Sequence, residues 1–197
     1  MAYHTYTTDS LVLGGADVGE GSRMLHLYTK EFGLVSAVAR SVREARSKLR
    51  YGLQTMSRSD IALVRGKDVW RITGAREQLN YYYLFKSDQA KQDLALRLIG
   101  LVRRLVRGEE PHEAFFDLLT ESFTFLAEHG LTKELLITLE CVIVLRILSM
   151  LGYVGILPEL EAVLRSGTLS EALLQDAAAH QKRMVKEINA SLLAAQL

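Results

Sequence analysis

A concentrated run of cations offers the clearest chemistry in this sequence of 197 residues. Five of them fall within twelve residues: Arg40, Arg43, Arg46, Lys48 and Arg50. Glu44 is the only acid in that segment, so its net charge is +4. Guanidinium and ammonium groups donate to phosphate oxygens, and each phosphate that they neutralise releases condensed counterions. The run therefore predicts contact with a nucleic-acid backbone, and a solvated charged loop is the alternative interpretation.

The charge is also divided unevenly along the chain. Residues 1–80 contain 12 Lys and Arg against 8 Asp and Glu, a balance of +4. Residues 81–197 contain 12 against 15, a balance of −3. Because a polyanion responds to local potential more than to the average over a chain, the first 80 residues are the predicted nucleic-acid-binding part.

No combination of residues predicts catalysis or metal binding. The five histidines show no ligand spacing with one another or with acidic pairs, and metal sites require converging donors. The glycines at positions 14, 15, 19 and 21 are not followed by the Gly-Lys-Ser/Thr ending of a phosphate-binding loop. The single cysteine, Cys141, is expected to be a small buried hydrophobe. We predict that the protein is not an enzyme and has no catalytic residue, metal or cofactor.

Short β-like segments must position the cations. Five strands are expected, over residues 5–14, 24–30, 34–40, 60–66 and 69–75. The last two flank residues 65–68, where glycine in a short connection indicates a hairpin. Residues 41–57 predict a short helix or an ordered loop. This pattern predicts a five-stranded β-barrel of the OB type, and an SH3-like barrel is the structural alternative.

Helical periodicity begins after residue 87 and continues to residue 108. A second helix is expected with Pro111 in its first turn and an end at residues 129–130, and a third from Thr132 to Gly152. A short helix over residues 158–166 and a last helix towards residue 197 follow, the latter preceded by a predicted capping box of Thr168 and Glu171. The predicted fold class is α+β multidomain. An N-terminal five-stranded OB-type barrel at residues 1–80 precedes an all-α helical domain at residues 81–197.

Nothing in the sequence predicts a membrane or an export signal. The first residues lack a basic segment followed by an apolar run. The longest apolar stretch, residues 135–151, contains Glu140 and Arg146, which are costly in a bilayer, so it predicts a buried core helix. A cytoplasmic location without membrane partners is the expectation.

A series of short motifs in the first half of the chain resembles the N-terminal domain of a known family. In order they are Leu11-Val-Leu13, Gly19-Glu-Gly-Ser-Arg23, Leu27-Tyr-Thr-Lys-Glu-Phe-Gly33, Val35-Ser-Ala-Val-Ala-Arg40, Ser47-Lys-Leu-Arg50 and Leu53-Gln54. Their order and spacing resemble the RecO recombination mediators, and Arg146 with Leu151-Gly-Tyr153 in the helical part also looks like that family. The resemblance covers most of the chain, most securely residues 8–80.

The resemblance implies a DNA repair and recombination mediator that binds single- and double-stranded DNA and anneals complementary strands. It also implies a protein that works with RecR and helps to load the RecA recombinase onto strands coated by single-strand DNA-binding protein. In the family the basic barrel contributes to DNA binding, which assigns that role here to the five cations between Arg40 and Arg50. Arg23 matches the motif as well, and pairing with Glu20 or another carboxylate to fix a turn is its alternative role.

The chain departs from the family in two respects. Many relatives place paired cysteines near the segment that corresponds to residues 157–167, and none is present here, so no zinc is predicted. The chain is also shorter than is usual for the family, which affects surfaces formed by its last helices. For the acidic C-terminal tail of single-strand DNA-binding protein, four cations beside an apolar helix face are the candidates, with simple solvation of that face as the alternative: Arg97, Arg103, Arg104 and Arg107.

Aromatic residues near the end of the barrel allow two interpretations. Tyr81, Tyr82, Tyr83 and Phe85 follow the last strand and favour packing at the junction with the helices, and base stacking is the alternative. Trp70 alternates with its neighbours in a strand and is open to both interpretations.

A second function is also compatible with the sequence. The acidic balance after residue 80 suits a protein-interaction adaptor that binds no nucleic acid and acts through its helical domain. Binding of RecR or of the single-strand DNA-binding protein tail without affinity for oligonucleotides would distinguish this adaptor from the mediator.

Overall fold

A computed structural model describes residues 4–67, 69–155, 157–165 and 167–195. The chain divides into two compact units. The first comprises residues 1–87 and 99–120, and the second comprises residues 88–98 and 121–197. Three predicted features, the hairpin position 68, the helix end at 166 and the last helical residue 197, lie outside the described residues.

The first unit contains a closed five-stranded barrel. Its strands are β1 (Thr5–Val18), β2 (Ser22–Thr29), β3 (Gly33–Ala39), β4 (Ser57–Arg65) and β5 (Trp70–Asn80). They follow the order β1-β2-β3-β5-β4, and β4 pairs back onto β1. All pairs are antiparallel except β3 with β5, which run parallel over three residue pairs. The predicted OB-type barrel is confirmed, with each of the five strands at its expected place and most of them longer than expected.

Alternating side chains fill the barrel. The inward positions share an aliphatic or aromatic character and are almost fully buried: Val12, Leu25, Leu27, Val35, Ala37, Ile61, Leu63, Trp70 and Ile72. Trp70 is only 4% exposed, and its Nε1 donates a hydrogen bond of 2.9 Å to Glu109. Since one face of every strand is committed to this core, the alternate residues of each strand point outward.

Seven α-helices are found in the described chain after the barrel. They are α1 (Tyr81–Phe85), α2 (Gln89–Leu105), α3 (Glu113–Glu128), α4 (Lys133–Met150), α5 (Glu161–Arg165), α6 (Glu171–Ala178) and α7 (Gln181–Ala194). A single 3₁₀ turn, Pro158–Leu160, precedes α5. The expected all-α second half is confirmed.

Three details of the helices differ from the sequence predictions. The cap of α6 is Ser170, whose hydroxyl accepts from the Leu173 amide at 3.1 Å, so the capping box predicted at Thr168 is wrong. The predicted single last helix is two helices, α6 and α7, separated at residues 179–180. Pro111 lies two residues before α3 instead of within its first turn, a shift within the ordinary uncertainty of helix ends.

Residues 106–120 belong to the first unit and pack onto the outside of the barrel. The Tyr28 ring contacts Phe115 and Phe116, at centroid distances of 5.1 and 6.4 Å. Burial raises the pKa of the Tyr28 hydroxyl to about 12. The Lys30 ammonium lies 2.8 Å from the Glu113 carboxylate, so apolar and ionic contacts hold this segment to β2 and to the turn that follows it.

The centre of the second unit is α4, which packs against α5, α6 and α7. Its residues Leu139, Val142 and Ile143 are fully buried. Arg146 is buried on the same helix, and its Nε donates to the Val163 carbonyl of α5 at 2.7 Å. Burial lowers the pKa of the Arg146 guanidinium. Cys141 is also buried on α4, as expected.

Among the described helices, none is both long and apolar enough to cross a membrane.

The turn between β2 and β3 supplies a test of how residues 106–120 fit the barrel. Gly33 has a φ of +64°, and a Cβ at this position would overlap the Glu110 backbone. We expect Gly33→Ala to lower the free energy of unfolding by at least about 2 kcal/mol, because it adds left-handed strain to a clash with fixed backbone. Denaturant unfolding measures this change.

Gly100 in the middle of α2 is the matched control, since a Cβ there meets no atom within 4 Å. Gly100→Ala should leave the free energy of unfolding unchanged or raise it by about 1 kcal/mol, because alanine favours the helix. Equal effects of the two substitutions would contradict the packing described here.

Candidate nucleic-acid interface

The predicted cations lie on the connection between β3 and β4. We call residues 40–56 the basic loop. The described structure assigns neither helix nor strand to it, so of the two forms expected, the ordered loop is the one observed. Its apolar side chains hold it to the barrel, since Val42 and Leu53 are part of the barrel core and Leu49 packs against that core. The core of the barrel therefore anchors the loop at several points along its length.

Both ends of the basic loop are held in a left-handed backbone conformation. Ser41 has a φ of +51° and Met56 a φ of +70°, and both are uncommon for residues other than glycine. The Met56 amide donates to the Val12 carbonyl at 2.9 Å, and its own carbonyl accepts from the Tyr81 amide at 3.1 Å. These contacts over-determine the exit of the loop, which lets the strained conformation persist.

The anchored loop turns its cations to solvent. All five of them are exposed: Arg40, Arg43, Arg46, Lys48 and Arg50. Two contact acids, since Arg43 lies 3.4 Å from Asp17 and Arg46 lies 3.3 Å from Glu44. Within the described residues the other three form no ion pair. Their charge is therefore available to an anionic ligand.

Asp17, near the end of β1, connects the basic loop to β2 by contacting one arginine of each. Its two carboxylate oxygens lie 3.2 Å from Arg23 Nε and 3.4 Å from Arg43 Nε. Arg43 also donates to the Glu20 carbonyl, and its amide donates to the Gly21 carbonyl. Arg23 therefore has a turn-fixing contact, with Asp17, and Arg43 combines exposure with a positioning role.

Glu44 reduces the charge of the loop only in part. Hydrogen bonds from Ser41 and Arg46 lower the pKa of its carboxyl group, so it remains ionised at neutral pH. With five cations and this one carboxylate, the net charge of the basic loop is +4.

Two residues that suit a nucleic-acid surface were not identified from the sequence. Tyr51 directly follows Arg50 and is 69% exposed, so its ring face is open to a base. Arg71 is exposed on β5, opposite Val38 of β3, and both belong to the outer face of the barrel. The alternation of buried Trp70 with Arg71 was a signal that could have identified the second of them.

Three other arginines of the barrel are occupied by structural contacts. Arg58 pairs with Asp9 at 2.7 Å, and that hydrogen bond raises the pKa of the guanidinium. Arg65 pairs with Glu109 and lies 4.7 Å above the Trp70 ring. The Arg76 guanidinium binds Asp60 and lowers the pKa of that carboxyl group. The basic loop is thus where cations without acidic partners are concentrated in the described barrel.

The four candidate cations for a protein partner are divided between the two units. Arg97 belongs to the second unit, where it pairs with Glu140 at 2.6 Å and its pKa is raised by that contact. Arg103, Arg104 and Arg107 are exposed residues of the first unit. Arg103 lies near His26 of β2, and burial together with the Arg103 charge lowers the pKa of that imidazole.

Arg97 lines a groove of about 200 Å³ between α2 and α4 within the second unit. The groove combines apolar and charged residues: Ala90, Asp93, Leu94, Arg97, Lys133, Leu136, Ile137 and Glu140. Ile137 is half-exposed on its wall. The two cations of the groove, Arg97 and Lys133, are balanced by two acids, Asp93 and Glu140.

The aromatic cluster after the barrel divides into two pairs. Tyr81 and Phe85 are fully buried in the first unit, and the Tyr81 hydroxyl donates to the Thr120 carbonyl. Tyr82 and Tyr83, by contrast, are 49% and 54% exposed. The predicted packing role holds for the first pair and not for the second.

Within the described residues, no three His, Cys, Asp or Glu side chains are grouped in a way that could hold a metal ion.

The first 78 residues match a family model described as "Recombination protein O N terminal". The matched segment comprises β1 to β4 and nearly all of β5.

Curated proteins extend this similarity into the helical half. The chain is 33% identical to the DNA repair protein RecO of Heliobacterium modesticaldum, over 82% of this chain and 56% of the relative. It is 28% identical to the RecO of Alkaliphilus metalliredigens, over 83% of this chain and 63% of the relative. The RecO of Myxococcus xanthus is 29% identical, over 80% of this chain and 62% of the relative. The chain thus spans about three fifths of the length of these relatives. The resemblance recognised in the sequence is confirmed.

The Asp17 contacts give a test of how the basic loop is positioned. Asp17→Asn removes the charge that Arg23 and Arg43 share, and each exposed ion pair contributes about 0.2–1 kcal/mol. We expect hydrogen exchange at the Arg43 amide to accelerate roughly 2- to 10-fold because the loop opens more often. Global stability should change by less than about 1 kcal/mol.

Asp60→Asn is the control, since it breaks an ion pair elsewhere on the barrel. This variant should leave exchange in the basic loop unchanged. If both variants accelerated exchange there equally, Asp17 would not be the positioning residue.

Proposed function

We propose that the chain, whose first 78 residues match the RecO N-terminal family, is a RecO-type protein that acts in DNA repair and recombination by binding DNA through the basic loop. The observation that carries the proposal is the exposure of five cations on an anchored loop of an OB-type barrel. Such barrels bind nucleic acids along strands and loops of this kind. Two of the relatives are DNA repair proteins named RecO, which agrees with this role.

Binding to the basic loop is electrostatic in this proposal. Arg40, Lys48 and Arg50 contact phosphates directly, and Arg46 joins them by leaving Glu44, an exposed pair that is worth little in water. Arg43 contacts a phosphate while Asp17 holds its position. Because the backbone is common to single- and double-stranded DNA, the loop binds both without base preference.

Strand annealing follows from this chemistry. Two complementary strands repel each other through their phosphates, and a cationic surface that binds both lowers that repulsion. In the proposed pathway the chain works with RecR and assists RecA loading onto strands coated by single-strand DNA-binding protein. We place this activity in the cytoplasm, without a cofactor and without a catalytic step.

A second, protein-binding function is favoured by the groove between α2 and α4. In this proposal its apolar wall and Lys133 hold the acidic C-terminal tail of single-strand DNA-binding protein, and Arg97 exchanges its partner Glu140 for a carboxylate of the tail. Of the four arginines predicted to bind a protein partner, Arg97 lines this groove. Arg103, Arg104 and Arg107 are instead proposed as further cations for an anionic partner of the first unit.

Removal of three loop cations tests the DNA proposal. Arg46, Lys48 and Arg50 are changed together to glutamine, and oligonucleotide binding is followed by fluorescence anisotropy at several salt concentrations. We expect affinity to fall about 10- to 100-fold for both single strands and duplexes. The slope of log affinity against log salt should lose about 2 for single strands, because three phosphate contacts are removed.

The matched control changes Lys182, Arg183 and Lys186 of α7 to glutamine. These residues are exposed and their removal lowers the net charge of the chain by the same amount. Affinity and salt slope should remain close to those of the wild type. Equal losses in the two triple variants would show a general charge effect and would rule out the basic loop as the site.

Ile137 tests the protein-binding proposal, since it is half-exposed on the groove wall. Ile137→Asp should weaken binding of a peptide with the tail sequence of single-strand DNA-binding protein at least about 10-fold, because it places a carboxylate against an acidic ligand. Calorimetry measures the affinity. Leu193→Asp, at an exposed apolar residue outside the groove, should bind as the wild type does. Loss of peptide binding in both variants, or in neither, would contradict the assignment.

A further inference from the structure

Tyr82 and Tyr83 remain unexplained by the barrel, the basic loop and the groove. They are 49% and 54% exposed, whereas Tyr81 and Phe85 on the same short helix are fully buried. Their rings form an edge-to-face pair with centroids 5.8 Å apart and planes inclined at 73°. In this arrangement each ring keeps at least one face that its partner does not cover.

The position of the pair relative to the basic loop is fixed by hydrogen bonds. Asn80 caps the short helix by accepting from the Tyr83 amide, and its side-chain amide donates to Gln54 of the loop at 3.0 Å. One residue further, the Tyr81 amide donates to the Met56 carbonyl at 3.1 Å. The two tyrosines therefore begin directly beside the last residues of the loop.

The middle of the loop also approaches the last strand. Gly52 lies against Ala75 and Glu77 of β5, where an added Cβ would be 3.2 Å from either residue. Tyr51, which is exposed, and the exposed cations Lys48 and Arg50 come directly before this glycine. The middle of the loop and the start of the helix that carries the tyrosine pair thus both lie at the end of β5.

We propose that Tyr82 and Tyr83 form a stacking platform for the unpaired bases of single-stranded DNA whose backbone is bound by the basic loop. The inference rests on the proposed DNA-binding function. It adds a preference for single-stranded over double-stranded DNA. Every base has a π-face, so a pair of open rings binds bases without reading their sequence. A duplex keeps its bases stacked on one another and cannot use the rings. The exposed cations supply the charge complementarity that a DNA ligand requires, and Lys86 beside the pair is also exposed.

The test compares three labelled ligands of equal length: oligothymidine, an abasic oligonucleotide and a duplex. Tyr82→Ala with Tyr83→Ala should lower affinity for oligothymidine about 10- to 100-fold, as expected for the loss of stacked rings. Affinity for the abasic strand and the duplex should change by less than about 2-fold, since both retain their phosphate contacts. Tyr82→Phe with Tyr83→Phe keeps the rings and should bind as the wild type does.

Tyr153→Ala is the matched control, because Tyr153 is an exposed tyrosine of the second unit. It should leave all three affinities unchanged. An ultraviolet crosslink between wild-type protein and a bromouracil-substituted strand, mapped by mass spectrometry, supplies a measurement that needs no variant. Crosslinks at Tyr82 or Tyr83 support the platform, and crosslinks confined to other residues overturn it.

The results separate the two proposals. If the wild type binds none of the three ligands, the DNA-binding function fails and the platform fails with it. If the triple loop variant loses affinity for all three while the double alanine variant behaves as the wild type, only the platform is overturned. The platform is also overturned if the alanine variant loses affinity equally for abasic and intact strands, or if the phenylalanine variant is as defective as the alanine variant.

Discussion

Closure of the barrel is the constraint on which the other features of the first unit depend. The ring closes because β3 and β5 pair in parallel over three residue pairs, which places β5 between β3 and β4. A parallel neighbour cannot be reached by a tight turn, and β4 is not adjacent to β3, so the chain must cross over between them. The basic loop is this crossover. It sends Val42 and Leu53 into the core that the strands enclose, and its five cations remain in solvent.

The same division between inward and outward side chains explains how much could be predicted from the sequence. Five strands and a helical second half follow from hydrophobic periodicity, and the cations of residues 40–50 were evident from charge alone. Tyr82 and Tyr83 were not separable from Tyr81, because the helix that buries one and exposes the others is only five residues long. Thr168 and Ser170 both suit a helix cap, and the choice between them depends on where the backbone enters α6. The proximity of Asn80 to Gln54 is a long-range contact that no local pattern contains.

Cations of the barrel serve two purposes that a count of charges does not distinguish. Arg58, Arg65 and Arg76 pair with acids on neighbouring segments, so their charge is neutralised where strands and helices meet. Arg40, Lys48 and Arg50 form no such pair in the described residues, so their charge faces solvent on one loop. Arg43 lies between these groups, since Asp17 holds it and solvent reaches it. An anion that approaches the barrel therefore meets five of its twelve Lys and Arg residues on one anchored segment.

The single cysteine has a practical consequence for chemical labelling. Cys141 is buried on α4, and burial, reinforced by the charge of Glu140, raises the pKa of its thiol. Since the thiolate is the nucleophile in alkylation, this thiol is poorly placed to react with maleimides at neutral pH. A cysteine introduced at an exposed site would then be the one that a fluorophore modifies, without prior removal of the native residue. A dye on that cysteine and a second dye on a ligand would then allow distance measurements by energy transfer.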